Sequence, residues 1–203
     1  TWYGPQHGPI VLILHGITGH AHSPYCKTLT YFLAEKGWRI CIIHARGCGR
    51  TPNRLHKSHH GADTLGLSCV VQHLHNQSPT TPLMAVGFSL GGSVLLNYLA
   101  TQHTLTAAVG ICIPHQLGTV AAALDQPEAR LYQKSILKGL QTWLRRKYKQ
   151  QHLIQPHYPD CIQNSIQAFD EWVTAPCNHF QNAAEYYQTA SCDQKLKDIQ
   201  TPA

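Results

Sequence analysis

Residues Gly87-Phe88-Ser89-Leu90-Gly91-Gly92 set a serine between glycines two positions before and two positions after it. That spacing suits a serine on a tight strand-to-helix turn, its hydroxyl raised for attack on an acyl carbonyl. The glycines at 87 and 91 have a steric reason, because a side chain at either would collide with the neighbouring strand or helix. A helix starting after Ser89 would aim its first amides at the hydroxyl and at any anion formed there. Average glycine usage of about 7% lets the bare pattern arise in roughly one chain in ten to twenty, so context must decide. His15-Gly16 supplies a second element, followed by Ile17. The backbone N–H groups of Ile17 and Leu90 are the expected oxyanion donors, each typically worth about 3 kcal/mol of transition-state stabilisation. The His15 side chain itself reads as a brace for its loop.

The elements around these residues supply that context. Ile10 to Leu14 is a continuous apolar run, as in a strand buried on both faces, and it delivers His15-Gly16. Ser23-Pro24 predicts a helix start, with Gly37 as its stop and Tyr25, Leu29, Phe32 and Leu33 on its apolar face. Trp38 to Ile43 reads as the next strand and Ala62 to Asn76 as a helix carrying Leu67, Val70, Val71 and Leu74 inward. Pro82 to Phe88 is a third buried strand, and it delivers Ser89. Leu90 to Thr101 follows as a helix, and Ala107 to Ile113 as a fourth buried strand. This alternation predicts an α/β fold with a mostly parallel sheet flanked by helices. After Pro114 no strand candidate appears until about Tyr187. Gln126-Pro127-Glu128 opens a helix to about Gln150, with Leu131, Leu137, Leu140, Leu144 and Tyr148 as its stripe. The expected organisation is a core over 1–113, a helical cap over 114–187 and a return to the core over 188–203.

Composition narrows the function classes. The chain has 203 residues, 43% hydrophobic and 13% charged, which suits one packed domain. A net charge of +6, without a long basic run, argues against a nucleic-acid partner. Arg145-Arg146-Lys147-Tyr148-Lys149 reads as a solvated helix face. No apolar stretch reaches the roughly 18 residues of a membrane span, which leaves peripheral membrane contact open. The eight cysteines form no CxxC and no tight framework, which suits a reducing cytoplasm. His20-x-His22, His73-x-His75 and His59-His60 lack a third ligand at a convincing spacing, so no metal is expected.

Five stretches together resemble the YheT-like esterase branch of the α/β-hydrolase superfamily: HGITGHAHSPY (15–25), ARGCGR (45–50), HHGADT (59–64), VGFSLGGSVLLNYL (86–99) and FDEWVTAPCNHFQNAAEYYQTAS (169–191). The resemblance implies an α/β-hydrolase fold with a helical cap. It implies a serine hydrolase of short- to medium-chain or lipid-derived carboxylic esters, with Ser89 as nucleophile and no metal or organic cofactor. The expected partner is a small-molecule ester. A thioesterase or acyltransferase of the same fold, or a non-catalytic binding protein on it, are the alternatives. The oligomeric state stays open.

Such enzymes order their triad Ser, then Asp or Glu, then His along the chain. The family's acid follows a strand placed after the cap, and its histidine lies later still. Both are expected beyond residue 203, with the chain a piece lacking both ends. His60, His115 and His179 as base, and Asp63 and Asp160 as acid, are the in-chain candidates and are not favoured. Residues 1–203 alone are expected to be poorly soluble and essentially inactive.

Overall fold

The computed structural model describes residues 1–51, 53–151 and 157–203. Residues 152–156, inside the expected cap, lie outside the described residues. Five strands form one sheet in the order β1-β3-β2-β4-β5: β1 (Trp2–Tyr3), β2 (Ile10–Leu14), β3 (Arg39–Ile43), β4 (Leu83–Phe88) and β5 (Ala107–Ile111). The last four run parallel, and β1 pairs antiparallel with β3. β1 escaped the sequence reading because two residues cannot display a period.

The centre of the sheet is covered on both faces. Helices α2 (Leu65–Gln77) and α3 (Leu90–Leu99) bury Leu67, Val71, Leu95 and Leu99 against Ile10, Leu12 and Ala85. Helix α1 (Pro24–Glu35) covers Val11, Ile13, Ile40 and Ile42 on the other face. Every residue of β2 is buried, as its continuous apolar run requires. β2 pairs with β3 on one side and β4 on the other, so the strand order reverses there. Open α/β sheets bind ligands beyond the carboxyl ends of strands at such a switch point. Both His15-Gly16 and Ser89 leave the sheet at that place.

Several expectations shift. In α1 the buried positions are Cys26 and Thr30, with Leu29 and Leu33 partly buried beside them. That is one helical face at i, i+3, i+4 and i+7, and Phe32 lies off it at 57% exposure, beneath the Lys36 ammonium. The Ser23 hydroxyl accepts from the His20 amide and does not cap the helix. β5 ends at Ile111, because Cys112 turns to φ 53°, and it is not fully buried: Val109 and Ile111 are exposed.

After β5 come α4 (Leu117–Leu124), a 3-10 turn (Pro127–Ala129) and α5 (Arg130–Gln151). Then α6 (Ile166–Phe169), a π-helical stretch (Asp170–Thr174) and α7 (Ala175–Cys177) run on without a break, and α8 (Ala183–Ala190) closes the segment. Among the described residues none after β5 forms a strand. This segment has its own core of Leu137, Leu140, Trp143, Leu144, Phe169 and Val173. Leu131 is not part of the α5 stripe and is 86% exposed, while Gln133 and Lys147 are buried on it. Lys147 and Arg146 are therefore not a solvated face. The Lys147 ammonium donates to the carbonyls of Leu55, His56 and Lys57, and Arg146 donates to those of Gly49 and Arg50. Together they tie the loop after β3 to α5.

Candidate active site

Ser89 stands between β4 and α3 with φ 50° and ψ −124°, in a region that non-glycine residues rarely occupy. Its amide donates to the Ile111 carbonyl, and its carbonyl accepts from Gly92 and Ser93. These bonds hold the strained turn in place. The surrounding backbone leaves no space for side chains at the flanking glycines. A Cβ on Gly87 would lie 2.6 Å from the Gly92 Cα. One on Gly91 would lie 2.5 Å from the Leu14 carbonyl oxygen. Strain of this kind persists only where the surroundings over-determine it, and it concentrates at functional sites. Thr18 and Cys112, on the two neighbouring loops, also have positive φ.

The loop after β2 approaches closely: a Cβ on Gly16 would sit 3.2 Å from the Ser89 Cβ. Three bonds brace it. The Ala45 amide donates to His15 Nε2 at 3.0 Å, so Nδ1 carries the proton and donates to the Gly16 carbonyl at 2.8 Å. The Gly16 amide donates to the Tyr25 hydroxyl. Burial pushes the His15 pKa down to about 4, which keeps this tautomer neutral near pH 7. Gly16 C=O and Ile17 N–H belong to one peptide plane, so fixing the carbonyl fixes the direction of the amide. His15 is thus the brace that its position suggests. Neither the Ile17 nor the Leu90 amide has a hydrogen-bond partner among the described residues.

Ser89, Ile17 and Leu90 line one pocket of about 280 Å³. Its other walls are mainly apolar and come from the helical segment, among them Leu117, Leu124, Ile136 and Ile166. Cys112, Tyr132, Tyr187 and Asp170 also reach it. The Ser89 hydroxyl makes no cap bond to α3 and has no hydrogen-bond partner among the described residues. The elbow glycines, the serine and both expected amides are thus brought together.

The in-chain acid and base candidates are not. His60 packs edge-on to Phe180 and Tyr186, and its Nδ1 accepts from the Ala62 amide. Burial holds its pKa below the usual range. His179 takes a left-handed conformation, φ 64°, where α7 ends, and the next amide, Phe180, bonds back to Ala175. His115 is exposed, and its carbonyl accepts from Cys192 and Asp193. Asp63 pairs with Arg46 at 3.3 Å, and Asp160 opens an exposed turn. Asp170 was not singled out from the sequence. No local signal marks it, since its pocket is built from residues far along the chain.

The fold and this site define a class. The chain belongs to the alpha/beta hydrolase fold family, whose model matches residues 9–153. One relative is the Escherichia coli (strain K12) protein YheT, named as an esterase, 30% identical over 209 residues and 97% of this chain. Another is medium-chain fatty acid ethyl ester synthase/esterase 2 of Saccharomyces cerevisiae, 29% identical over 96% of this chain. The chain spans 59% of the length of the first and 49% of the second. Among solved structures, the Pyrococcus horikoshii acylaminoacyl peptidase aligns with a TM-score of 0.60 at 16% identity, over 99% of this chain and 28% of that one. That likeness is one of fold. No helix among the described residues is long and apolar enough to cross a membrane.

Proposed function

We propose that the protein is a serine hydrolase of carboxylic esters, acting through an acyl-enzyme on Ser89. Ser89 Oγ attacks the ester carbonyl carbon, and its proton passes to a histidine outside these 203 residues. The Ile17 and Leu90 amides receive the tetrahedral oxyanion. The intermediate collapses, the C–O bond to the alcohol breaks, and the histidinium returns the proton to the leaving alkoxide. Water then repeats the sequence on the acyl-enzyme and releases the acid. The helices over 114–187 act as a cap, with 188–203 returning to the core, and a pocket of about 280 Å³ suits a short or medium acyl chain. Neither metal nor organic cofactor takes part. The eight free cysteines fit a reducing compartment, and we place the protein in the cytoplasm.

The observation that carries this reading is the strained Ser89, its hydroxyl unspent, in one apolar pocket with two unpartnered amides. The test is the intact mass of the protein from its natural source, before and after a fluorophosphonate probe. One adduct on Ser89, absent in Ser89→Ala together with chelator-resistant ester hydrolysis, is the expected outcome. No adduct and no turnover would favour the second reading, a binding protein on this fold. That reading draws on the lack of a base bonded to Ser89 among the described residues.

A further inference from the structure

Asp170 has no part in the chemistry above, yet it sits in the same pocket as Ser89. It opens the π-helical stretch Asp170–Thr174. Such stretches are rare and are frequent at functional sites. Two hydroxyls hold the carboxylate: Thr174 Oγ1 donates to Oδ1 at 2.7 Å, and Tyr187 donates to Oδ2 at 2.9 Å. A carboxylate has about four acceptor positions, so each oxygen keeps one with no donor among the described residues. The groups that bear on it electrostatically are Asp125, which repels it, and the hydroxyls of Thr174, Tyr187 and Tyr186. Burial pushes its pKa up to about 6 despite the two hydrogen bonds. No cation is among these groups. A carboxylate in an apolar wall with spare acceptor positions is costly unless a ligand fills them.

We propose that Asp170 determines specificity at this site by accepting a hydrogen bond from a free hydroxyl on the substrate, so that the pocket selects esters bearing a hydroxyl group over equally long esters without one. This rests on the reading of Ser89 as the site of ester cleavage. A hydroxyl matches the occupants already seated on Asp170. An ammonium would bring three N–H donors into a pocket whose remaining walls are mainly apolar. Sites built to bond a substrate hydroxyl reject the analogue that lacks it, because their own polar group is then left unpaired.

The test compares kcat/KM for glyceryl monobutyrate and propyl butyrate in the protein from its natural source, in Asp170→Asn and in Asp170→Leu. Binding of two uncleavable ethers, 1-O-butylglycerol and butyl propyl ether, is measured alongside by calorimetry. The expected wild-type preference for the hydroxylated member is on the order of 10- to 100-fold in both series, falling to near unity in Asp170→Leu and less far in Asp170→Asn, whose amide oxygen still accepts. The ratio is the readout, so a general loss of folding lowers both terms and leaves it in place. A wild-type ratio near unity, a ratio unchanged in folded Asp170→Leu, or tighter binding of a choline ether would overturn the assignment. Turnover dependent on Ser89 without selectivity removes the role of Asp170 and leaves the hydrolase reading. Selective binding without turnover keeps the hydroxyl recognition and removes the hydrolase reading.

Discussion

Asp170 and Ser89 share a pocket but differ in how their environments act on them. The Ser89 backbone is strained by a turn whose glycines lie within two residues of it. The Asp170 carboxyl is shifted upward by burial and by the approach of Asp125, against the hydrogen bonds from Thr174 and Tyr187. Its pKa rises from an ordinary 3.8 to about 6, chiefly through burial. Between those values the folded protein keeps a proton that the unfolded chain has released, so this group lowers stability as pH rises through that window. Asp170→Asn cannot release it. The stability of Asp170→Asn relative to wild type should therefore grow by up to about 3 kcal/mol between pH 4 and pH 7, at 1.36 kcal/mol per pKa unit. Urea unfolding of both proteins across that range checks it, and a constant difference would mean that Asp170 titrates normally. The contrast explains what could be read from sequence. Gly87, Ser89 and Gly91 announce themselves because the turn that uses them is contiguous. Asp170 does not, because nothing within a few residues of it reveals the pocket wall.

At the scale of elements, hydrophobic period located the helices and strands better than the residues that face inward. The α5 helix buries positions 133, 136, 137, 140, 143, 144, 147 and 148, one continuous helical face. Two of those are Gln133 and Lys147, which residue type alone assigns to solvent. Gln133 is buried because its amide donates to Asp125 and to the Asn164 carbonyl. Lys147 is buried because three carbonyls of the loop after β3 receive its ammonium. Burial lowers its pKa, and the carbonyl bonds are what keep a charged group there. Lys147→Met keeps the apolar stem and removes the donor, so the loop loses its bonds to the ammonium, although the Lys57 carbonyl keeps the Asn53 amide. We expect a loss of about 2 kcal/mol, since bonds to charged groups are worth roughly 1.5–3 kcal/mol. The urea midpoint should fall at unchanged slope, and proteolysis should quicken within residues 50–58. Equal stability with a protected loop would show that packing against Trp143, and not the ammonium, holds this region.

For the whole molecule, the two edges of the sheet are unequal. At one edge β1 covers β3. At the other, β5 meets, among the described residues, only 201–203, where the Ala108 amide donates to the Pro202 carbonyl at 2.8 Å. Val109 and Ile111 lie on the same sheet face as Val86 and Phe88, the face that α1 covers over β2 and β3. They remain 52% and 38% exposed. An apolar, nearly unpaired edge is a template for pairing with another chain. These 203 residues produced alone should therefore self-associate, and the association should run through β5. Replacing Val109 and Ile111 together by lysine puts two charges on that edge without touching the pocket lining. Light scattering should then move from large assemblies toward the 22.6 kDa monomer. Ser89 and Ile111 share the bond that holds the strained turn, so the doubly substituted chain also reports on the site. That bond uses the Ile111 backbone carbonyl, which lysine retains, so the strained turn should survive the substitution. Monomers without the substitutions, or assemblies unmoved by them, would place the associating surface elsewhere, with the exposed Tyr31 and Phe32 of α1 the next surface to alter.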